Sequence, residues 1–152
     1  MACAGSLEAQ VKSAQNEHVS DCVCDSLVIG MSSPALTAID HVQLAILPGA
    51  EPVCRPYYAD LLGMTEVEKP EALRGRGGLW FRAGAVEVHL GAEADFRPAL
   101  KAHPAFRAAG ICGLAERLVA AGHPVRWDEA IARRRRFFSA DPCGNRLEFI
   151  EA

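Results

Sequence analysis

The chain has 152 residues, of which 50% are hydrophobic and 23% are charged, so it is not a wholly disordered chain and is long enough to bury a sizeable core. Its net charge of −3 excludes a general attraction to nucleic acid or to an anionic membrane, and no apolar run approaches the ~20 residues that cross a bilayer. Six cysteines without a secretory signal pattern are typical of a reducing compartment, so we predict a cytoplasmic protein.

Residues 1–35 differ from the rest of the chain. They are rich in Ala, Ser, Gln and Cys and show no apolar periodicity, so we predict an N-terminal extension outside the core. Cys22 and Cys24 lie near His18 but lack the second ligand pair of a zinc site. The folded domain is therefore predicted to span residues 36–152.

The first module of this domain begins with a strand. Residues Ile39–Ile46 alternate with period two, which places His41 and Gln43 on the face opposite Leu44 and Ile46. A helix follows over Pro52–Leu62, with Gly63 after its last turn. Three strands with antiparallel turn signals then complete the module: Met64–Glu68, Gly78–Arg82 and Ala85–Leu90.

The second module repeats this order. Its predicted elements are a strand at Pro104–Ala108, a helix at Gly113–Ala121, and strands at Pro124–Trp127, Arg136–Ala140 and Arg146–Glu151. His41 and His103 are 62 residues apart, and His89 and Glu148 are 59 apart. This near-constant offset indicates an internal duplication, and therefore an α+β fold of two tandem βαβββ modules at about 36–92 and 101–152.

Four potential metal ligands fall at corresponding places of the two modules. His41 and His103 belong to the first strands, and His89 and Glu148 lie in the fourth strands, where they alternate with core residues. Three imidazoles and one carboxylate suit a divalent Zn, Ni, Fe, Co or Mn ion. A solvated sheet face explains one such residue, but not four at symmetric positions.

The motifs that carry a family resemblance span the whole domain. They are Ile39-Asp40-His41-Val42, Tyr57-Tyr58-Ala59-Asp60-Leu61-Leu62-Gly63-Met64, His103-Pro104-Ala105-Phe106 and Asp141-Pro142-Cys143-Gly144-Asn145-Arg146-Leu147-Glu148. Residues 36–152 resemble the vicinal oxygen chelate superfamily, which groups glyoxalases, bleomycin-resistance proteins and extradiol dioxygenases. The resemblance implies that the two modules form a cupped mixed sheet around a metal.

By that resemblance, the metal ligands are His41, His89, His103 and Glu148. Glyoxalase I enzymes usually carry Glu where this chain has His89, and Glu87 on the same strand face is the alternative ligand. The residues predicted to contact substrate are Gln43, Trp80, Arg136 and Phe138. The family commonly completes each cup by pairing module one of one chain with module two of another, so we predict a homodimer.

The predicted activity is that of a metal-dependent, glyoxalase-like lyase or isomerase. It would act on a small molecule with vicinal oxygens through a metal-stabilised enediolate, with Glu148 as ligand and base. Three alternatives remain open: an Fe(II) extradiol dioxygenase, a fosfomycin-type thiol transferase, and a metal-free protein that sequesters a drug.

Overall fold

A computed structural model describes residues 35–152. Contacts divide the chain into the units Met1–Leu36 and Thr37–Ala152, and the fold described here is that of the second unit. The predicted N-terminal extension, with His18, Cys22 and Cys24, lies outside the described residues except for residue 35. None of the helices in the described part is long and apolar enough to span a membrane.

The first module is a four-stranded mixed sheet with one helix. Its strands are β1 (Val42–Ile46), β2 (Thr65–Val67), β3 (Leu79–Ala83) and β4 (Val86–Ala92). The strand order is β1-β4-β3-β2, with β1 parallel to β4 and the other pairs antiparallel. A six-residue 3-10 helix at Glu71–Arg76 connects β2 to β3.

The helix of this module changes its hydrogen-bond register part-way along. It begins as α1 (Glu51–Pro56) and continues as a π-helical turn, Tyr57–Leu61. Pro56 has no N–H to donate, and beyond it the Leu62 N–H donates to the carbonyl of Tyr57 five residues earlier, at 3.0 Å. Gly63 then adopts a positive φ of 69°, which ends the helix as predicted.

The second module repeats this topology. Its elements are β5 (Ala105–Ala108), α2 (Ile111–Ala120), β6 (Arg126–Trp127), β7 (Arg136–Ala140) and β8 (Arg146–Glu151). The sheet order is β5-β8-β7-β6, again with the first and last strands parallel. The α+β fold of two βαβββ modules is therefore confirmed, although within one chain the sheets are two separate four-stranded sheets.

One core joins the two modules. Its fully buried large side chains are Ile46, Tyr57, Tyr58, Phe81, Val88, Leu90, Ile111, Leu118, Phe137 and Leu147. Both helices and the inner faces of both sheets contribute to this set. The opposite sheet faces are left to carry polar side chains.

A polar contact also ties the modules together. The Tyr58 hydroxyl donates to Asp141 Oδ2 at 2.9 Å, and the Asn145 side-chain amide donates to the backbone carbonyl of Ala45 in β1 at 2.8 Å. Asp141 and Asn145 flank the turn between β7 and β8. This turn is therefore fixed against both the helix and the first strand of module one.

Candidate functional site

Strand register brings the predicted module-one residues onto one sheet face. Gln43 of β1 and Trp80 of β3 are both direct register partners of His89 in β4. His41 lies immediately before β1 rather than within it. The alternation predicted from sequence thus places these side chains away from the helix-packed core.

His89 sits between two other rings. It is 5% exposed, its ring lies 3.7 Å from the ring of Trp80 and 4.0 Å from that of His41, and both pairs are stacked. Its Nε2 atom is 2.9 Å from Glu87 Oε1. A carboxylate only accepts hydrogen bonds, so Nε2 carries the proton and Nδ1 of neutral His89 carries the lone pair.

Glu87 is held from two sides. Arg82 donates through Nε and Nη2 to Glu87 Oε2, at 2.9 and 2.7 Å, while His89 occupies Oε1. The hydrogen bond from His89, followed by that from Arg82, lowers the pKa of Glu87 below its usual value. Glu87 and His89 are therefore one connected pair. We define the module-one cluster as His41, Trp80, Arg82, Glu87 and His89.

Gln43 lies across a glycine of the neighbouring strand. A Cβ atom at Gly91 would come within 2.9 Å of Gln43 Nε2. The absence of a side chain at Gly91 therefore makes room for the amide of Gln43 on the polar face.

The module-two cluster centres on a histidine and a carboxylate. His103 Nδ1 is 2.7 Å from the carbonyl of Lys101, and His103 Nε2 is 3.0 Å from Glu148 Oε2. Because a carbonyl only accepts, Nδ1 must carry a proton. A hydrogen bond between Nε2 and the carboxylate requires a second proton on the ring, because a carboxylate only accepts.

Arg136 holds the other oxygen of Glu148. It donates through Nη1 to Glu148 Oε1 and through Nη2 to Asp128 Oδ1, both at 2.7 Å. Burial raises the pKa of Glu148, but the hydrogen bonds from Arg136 and His103 outweigh this effect, and the pKa lies below its usual value. We define the module-two cluster as His103, Asp128, Arg136, Phe138 and Glu148.

Two further arginines approach the ring of Phe138. The guanidinium carbons of Arg146 and Arg126 lie 4.1 and 5.6 Å from its centroid, and that of Arg136 lies at 5.3 Å. Within residues 35–152, neither Arg126 nor Arg146 forms an ion pair with a carboxylate. This part of the polar face therefore has positive charge to offer to a ligand.

Solved structures identify the family to which this chain belongs. The crystal structure of a glyoxalase family protein from Bacillus anthracis is 43% identical, covers 78% of this chain and 97% of its own, and superposes with a TM-score of 0.74. The chain belongs to the glyoxalase family of the vicinal oxygen chelate superfamily. Neither a protein-family model nor a curated protein sequence matches it.

More distant structures share the fold of this glyoxalase-family chain. Lactoylglutathione lyase from Agrobacterium tumefaciens is 19% identical with a TM-score of 0.58, covering 78% of this chain and 96% of its own. The fosfomycin resistance protein FosX from Listeria monocytogenes is 11% identical with a TM-score of 0.63, covering 78% of this chain and 95% of its own. At these identities the likeness concerns the fold.

The four predicted ligands of this glyoxalase-family chain fall into two pairs. His41 stacks on His89, and His103 contacts Glu148. Within the described residues, no group of three or more His, Cys, Asp or Glu side chains is placed to hold a metal. Each module therefore contributes half of the predicted ligand set.

Sequence reasoning missed several partners of these residues. Asp128, Arg126 and Arg146 were not singled out, although each lies on the polar face beside a predicted residue. The pairing of β6 with β7 sets Arg126 opposite Phe138, and the alternation of β8 places Arg146 on the same face as Glu148. The two-residue length of β6 makes that pairing hard to place from sequence.

Proposed function

We propose that this glyoxalase-family chain is a divalent-metal-dependent enzyme, a lyase or isomerase that acts on a small molecule with two adjacent oxygens. The observation that carries the proposal is the 3.0 Å approach of His103 Nε2 to Glu148 Oε2, with Nδ1 of the same ring held by a carbonyl. An imidazole oriented by its second nitrogen is the usual arrangement of a metal ligand.

The residues fit a borderline divalent ion such as Zn, Ni, Fe, Co or Mn. His103 and Glu148 would hold it from module two, and His41 with the Glu87–His89 pair would hold it from module one. His41 matches His103, because its Nδ1 is 2.8 Å from Asp40 Oδ1, which leaves Nε2 to bind. When bound, the ion would polarise the two substrate oxygens and stabilise the negative charge that develops on them.

Glu148 is the residue proposed to move the proton. Its carboxylate is ionised at neutral pH, and the bond to Arg136 occupies Oε1. Oε2, which lies 3.0 Å from His103 Nε2, is the oxygen that Arg136 leaves for the proton. Arg136, which sequence analysis predicted to contact substrate, positions this carboxylate and shares its charge with Asp128.

The same face favours an anionic substrate. Arg126 and Arg146 flank Phe138 and have no carboxylate partner among residues 35–152, so a carboxylate, phosphate or phosphonate of the substrate could pair with them. The planar surfaces of Phe138 and Trp80 would contact its apolar part.

We further propose that a complete site requires two chains. Since each module carries half of the ligands, pairing module one of one chain with module two of a second chain would assemble both halves. A homodimer with twofold symmetry would form two such sites.

A metal-free binding protein is the second candidate. The stack of Trp80, His89 and His41 leaves flat aromatic surface on the polar face, and the Nε2 atom of His89 is already paired with Glu87. These features favour a drug-sized aromatic ligand.

Elemental analysis and thermal melting separate the two candidates. We expect about one divalent ion per site, and saturation at ~1,000 times Kd should stabilise the fold by roughly 4 kcal/mol. Chelator should reverse the shift. Metal-free protein whose melting temperature is unchanged by added Zn, Ni, Fe, Co or Mn would contradict the enzyme proposal and favour the binding protein.

Activity is then tested on three substrate classes. Hemithioacetals of 2-oxoaldehydes, catechols under air, and fosfomycin with a thiol distinguish the glyoxalase reaction from dioxygenase and thiol-transferase chemistry. Turnover of the first class alone supports the proposal, whereas turnover of either other class replaces it with that reaction.

A further inference from the structure

Two cysteines from different modules face each other across the core. Cys54 lies in α1 and is fully buried, while Cys143 lies in the turn between β7 and β8 and is partly exposed. Their Sγ atoms are 3.7 Å apart, although 89 residues separate them in sequence. Neither thiol belongs to the polar faces that carry the proposed site.

We propose that Cys54 and Cys143 are a redox-active dithiol that peroxide oxidises to a disulfide between the modules. A disulfide bond is about 2.05 Å long, so the sulfurs must approach by less than ~2 Å. The third cysteine of residues 35–152, Cys112, has no sulfur partner among those residues.

The buried Asp141 network holds both thiols in place. Asp141 Oδ1 accepts the N–H of Cys143 at 2.9 Å, and Asp141 Oδ2 accepts the hydroxyl of Tyr58 at 2.9 Å. Tyr58 follows Cys54 by one helical turn, so the same carboxylate holds the backbone of Cys143 and, through the Tyr58 side chain, the helix that carries Cys54. Such fixed proximity favours an intrachain bond over reaction with another thiol.

The different exposure of the two thiols sets the order of events. The Cys143 thiolate attacks hydrogen peroxide, a sulfur–oxygen bond forms, the oxygen–oxygen bond breaks, and the departing hydroxide is protonated to water. Cys54 then loses its proton and attacks Cys143, the sulfur–sulfur bond forms, and the sulfenic hydroxyl leaves as a second water. Two thiols are oxidised and one peroxide is reduced.

Burial, reinforced by the neighbouring Cys143 thiol, raises the pKa of Cys54. Cys54 is therefore a protonated thiol at neutral pH and a poor first reactant with peroxide. The partly exposed Cys143 starts the reaction, and Cys54 completes it at close range. The product would tie α1 to the turn that leads into β8, the strand that carries Glu148.

Peroxide treatment of the reduced full chain, followed by peptide mapping, tests this proposal. We expect a Cys54–Cys143 peptide as the main crosslink, a mass loss of two hydrogens, and full reversal by dithiothreitol. Cys112→Ser is the matched control and should leave the yield unchanged. Crosslinks that instead join Cys112 or the cysteines before residue 35 would overturn the proposal.

Single substitutions test the order of the two steps. Cys54→Ser should abolish the crosslink and leave Cys143 as sulfenic or sulfinic acid, and Cys54→Ala is a second variant should serine disturb the core. Cys143→Ser should leave Cys54 reduced, because peroxide reaches the buried thiol poorly. A wild-type chain that accumulates Cys143 sulfinic acid without any crosslink would refute the dithiol.

Discussion

Each histidine of the site has at least one ring nitrogen engaged by a neighbouring oxygen. His41 and His103 use Nδ1, toward Asp40 and the Lys101 carbonyl, whereas His89 uses Nε2 toward Glu87. Nε2 of His41 is therefore left for a ligand, Nε2 of His103 already contacts Glu148, and His89 has Nδ1 left. Asp40, Lys101 and Glu87 lie within two residues of their histidines in the chain, but the sequence does not say which ring nitrogen each one reaches, because that depends on the local torsion angles.

Glu148→Gln tests the proposed base. The amide keeps the shape and one oxygen but loses the charge and most of the basicity, so kcat should fall by about 10²–10⁴-fold. Steady-state kinetics must be measured at saturating metal, because metal affinity should fall as well. Glu116→Gln in α2, an exposed carboxylate, is the control. Full kcat in Glu148→Gln would make Glu87 the next candidate for the base.

Glu51→Gln tests a carboxylate that supports the fold of module one. Glu51 Oε1 accepts the N–H of Gly78 at 2.7 Å, and this bond is the main cause of its lowered pKa. A lowered folded-state pKa gives stability that is present above the ordinary value of 4.5 and is lost as pH falls through the folded value. The variant should lose about 1 kcal/mol at pH 7.

Urea unfolding at pH 7 and below the folded pKa of Glu51 measures this effect. The difference between wild type and Glu51→Gln should shrink on acidification, since both side chains are then uncharged. Glu71→Gln, an exposed carboxylate of the 3-10 turn, should show no comparable loss. A deficit that is equal at both pH values would show that the charge of Glu51 is not what stabilises the contact.

At the scale of elements, the apolar patterns predicted the positions of strands well and the boundaries of helices less well. The predicted strand Arg146–Glu151 matches β8. The predicted helix Pro52–Leu62 is divided at Pro56 into α1 and a π-helical turn, because the missing N–H changes the hydrogen-bond register. Pro56 is visible in the sequence, but the helical stripe alone does not encode the change of hydrogen-bond register that follows it.

The turn between β7 and β8 is the element whose loss should cost most. Asp141 is 4% exposed and accepts hydrogen bonds from the backbone of Cys143 and Asn145, from the Asn145 side chain and from the Tyr58 hydroxyl. Asp141→Ala leaves these donors buried without an acceptor, so we expect a loss of about 3 kcal/mol or more.

The free energy of unfolding of Asp141→Ala, measured in denaturant, is compared with that of two further variants. Tyr58→Phe removes one donor while Asp141 keeps the others, so it should cost about 1–2 kcal/mol. Asp95→Ala, in an exposed turn, should stay within about 0.5 kcal/mol of wild type. Equal effects for Asp141→Ala and Asp95→Ala would refute the role of this network.

At the scale of the whole molecule, sequence predicted the modules but not how their ligands meet. The duplication was visible because each module repeats its own pattern, and the fold confirms it. Whether one chain or two complete a site depends on contacts between modules, which no local period encodes. Within residues 35–152 the clusters remain two half-sites, and this division makes the proposed dimer testable.

Mixing two inactive variants decides between a site within one chain and a site between chains. His41→Ala disables module one, and His103→Ala disables module two. If module one of each chain pairs with module two of its partner, a mixed dimer has one site with both defects and one site with neither. Random exchange of equal amounts should therefore restore about one quarter of wild-type sites.

The readouts are bound metal and turnover after subunit exchange in mild denaturant, compared with each variant treated alone. Recovery in the mixture, with none in either variant by itself, requires that a single site draws ligands from two chains. A mixture as inactive as its components would show that both modules of one chain contribute ligands to the same site. A monomeric mass at micromolar concentration would also show that one chain supplies a whole site, because a monomer has no partner to contribute ligands.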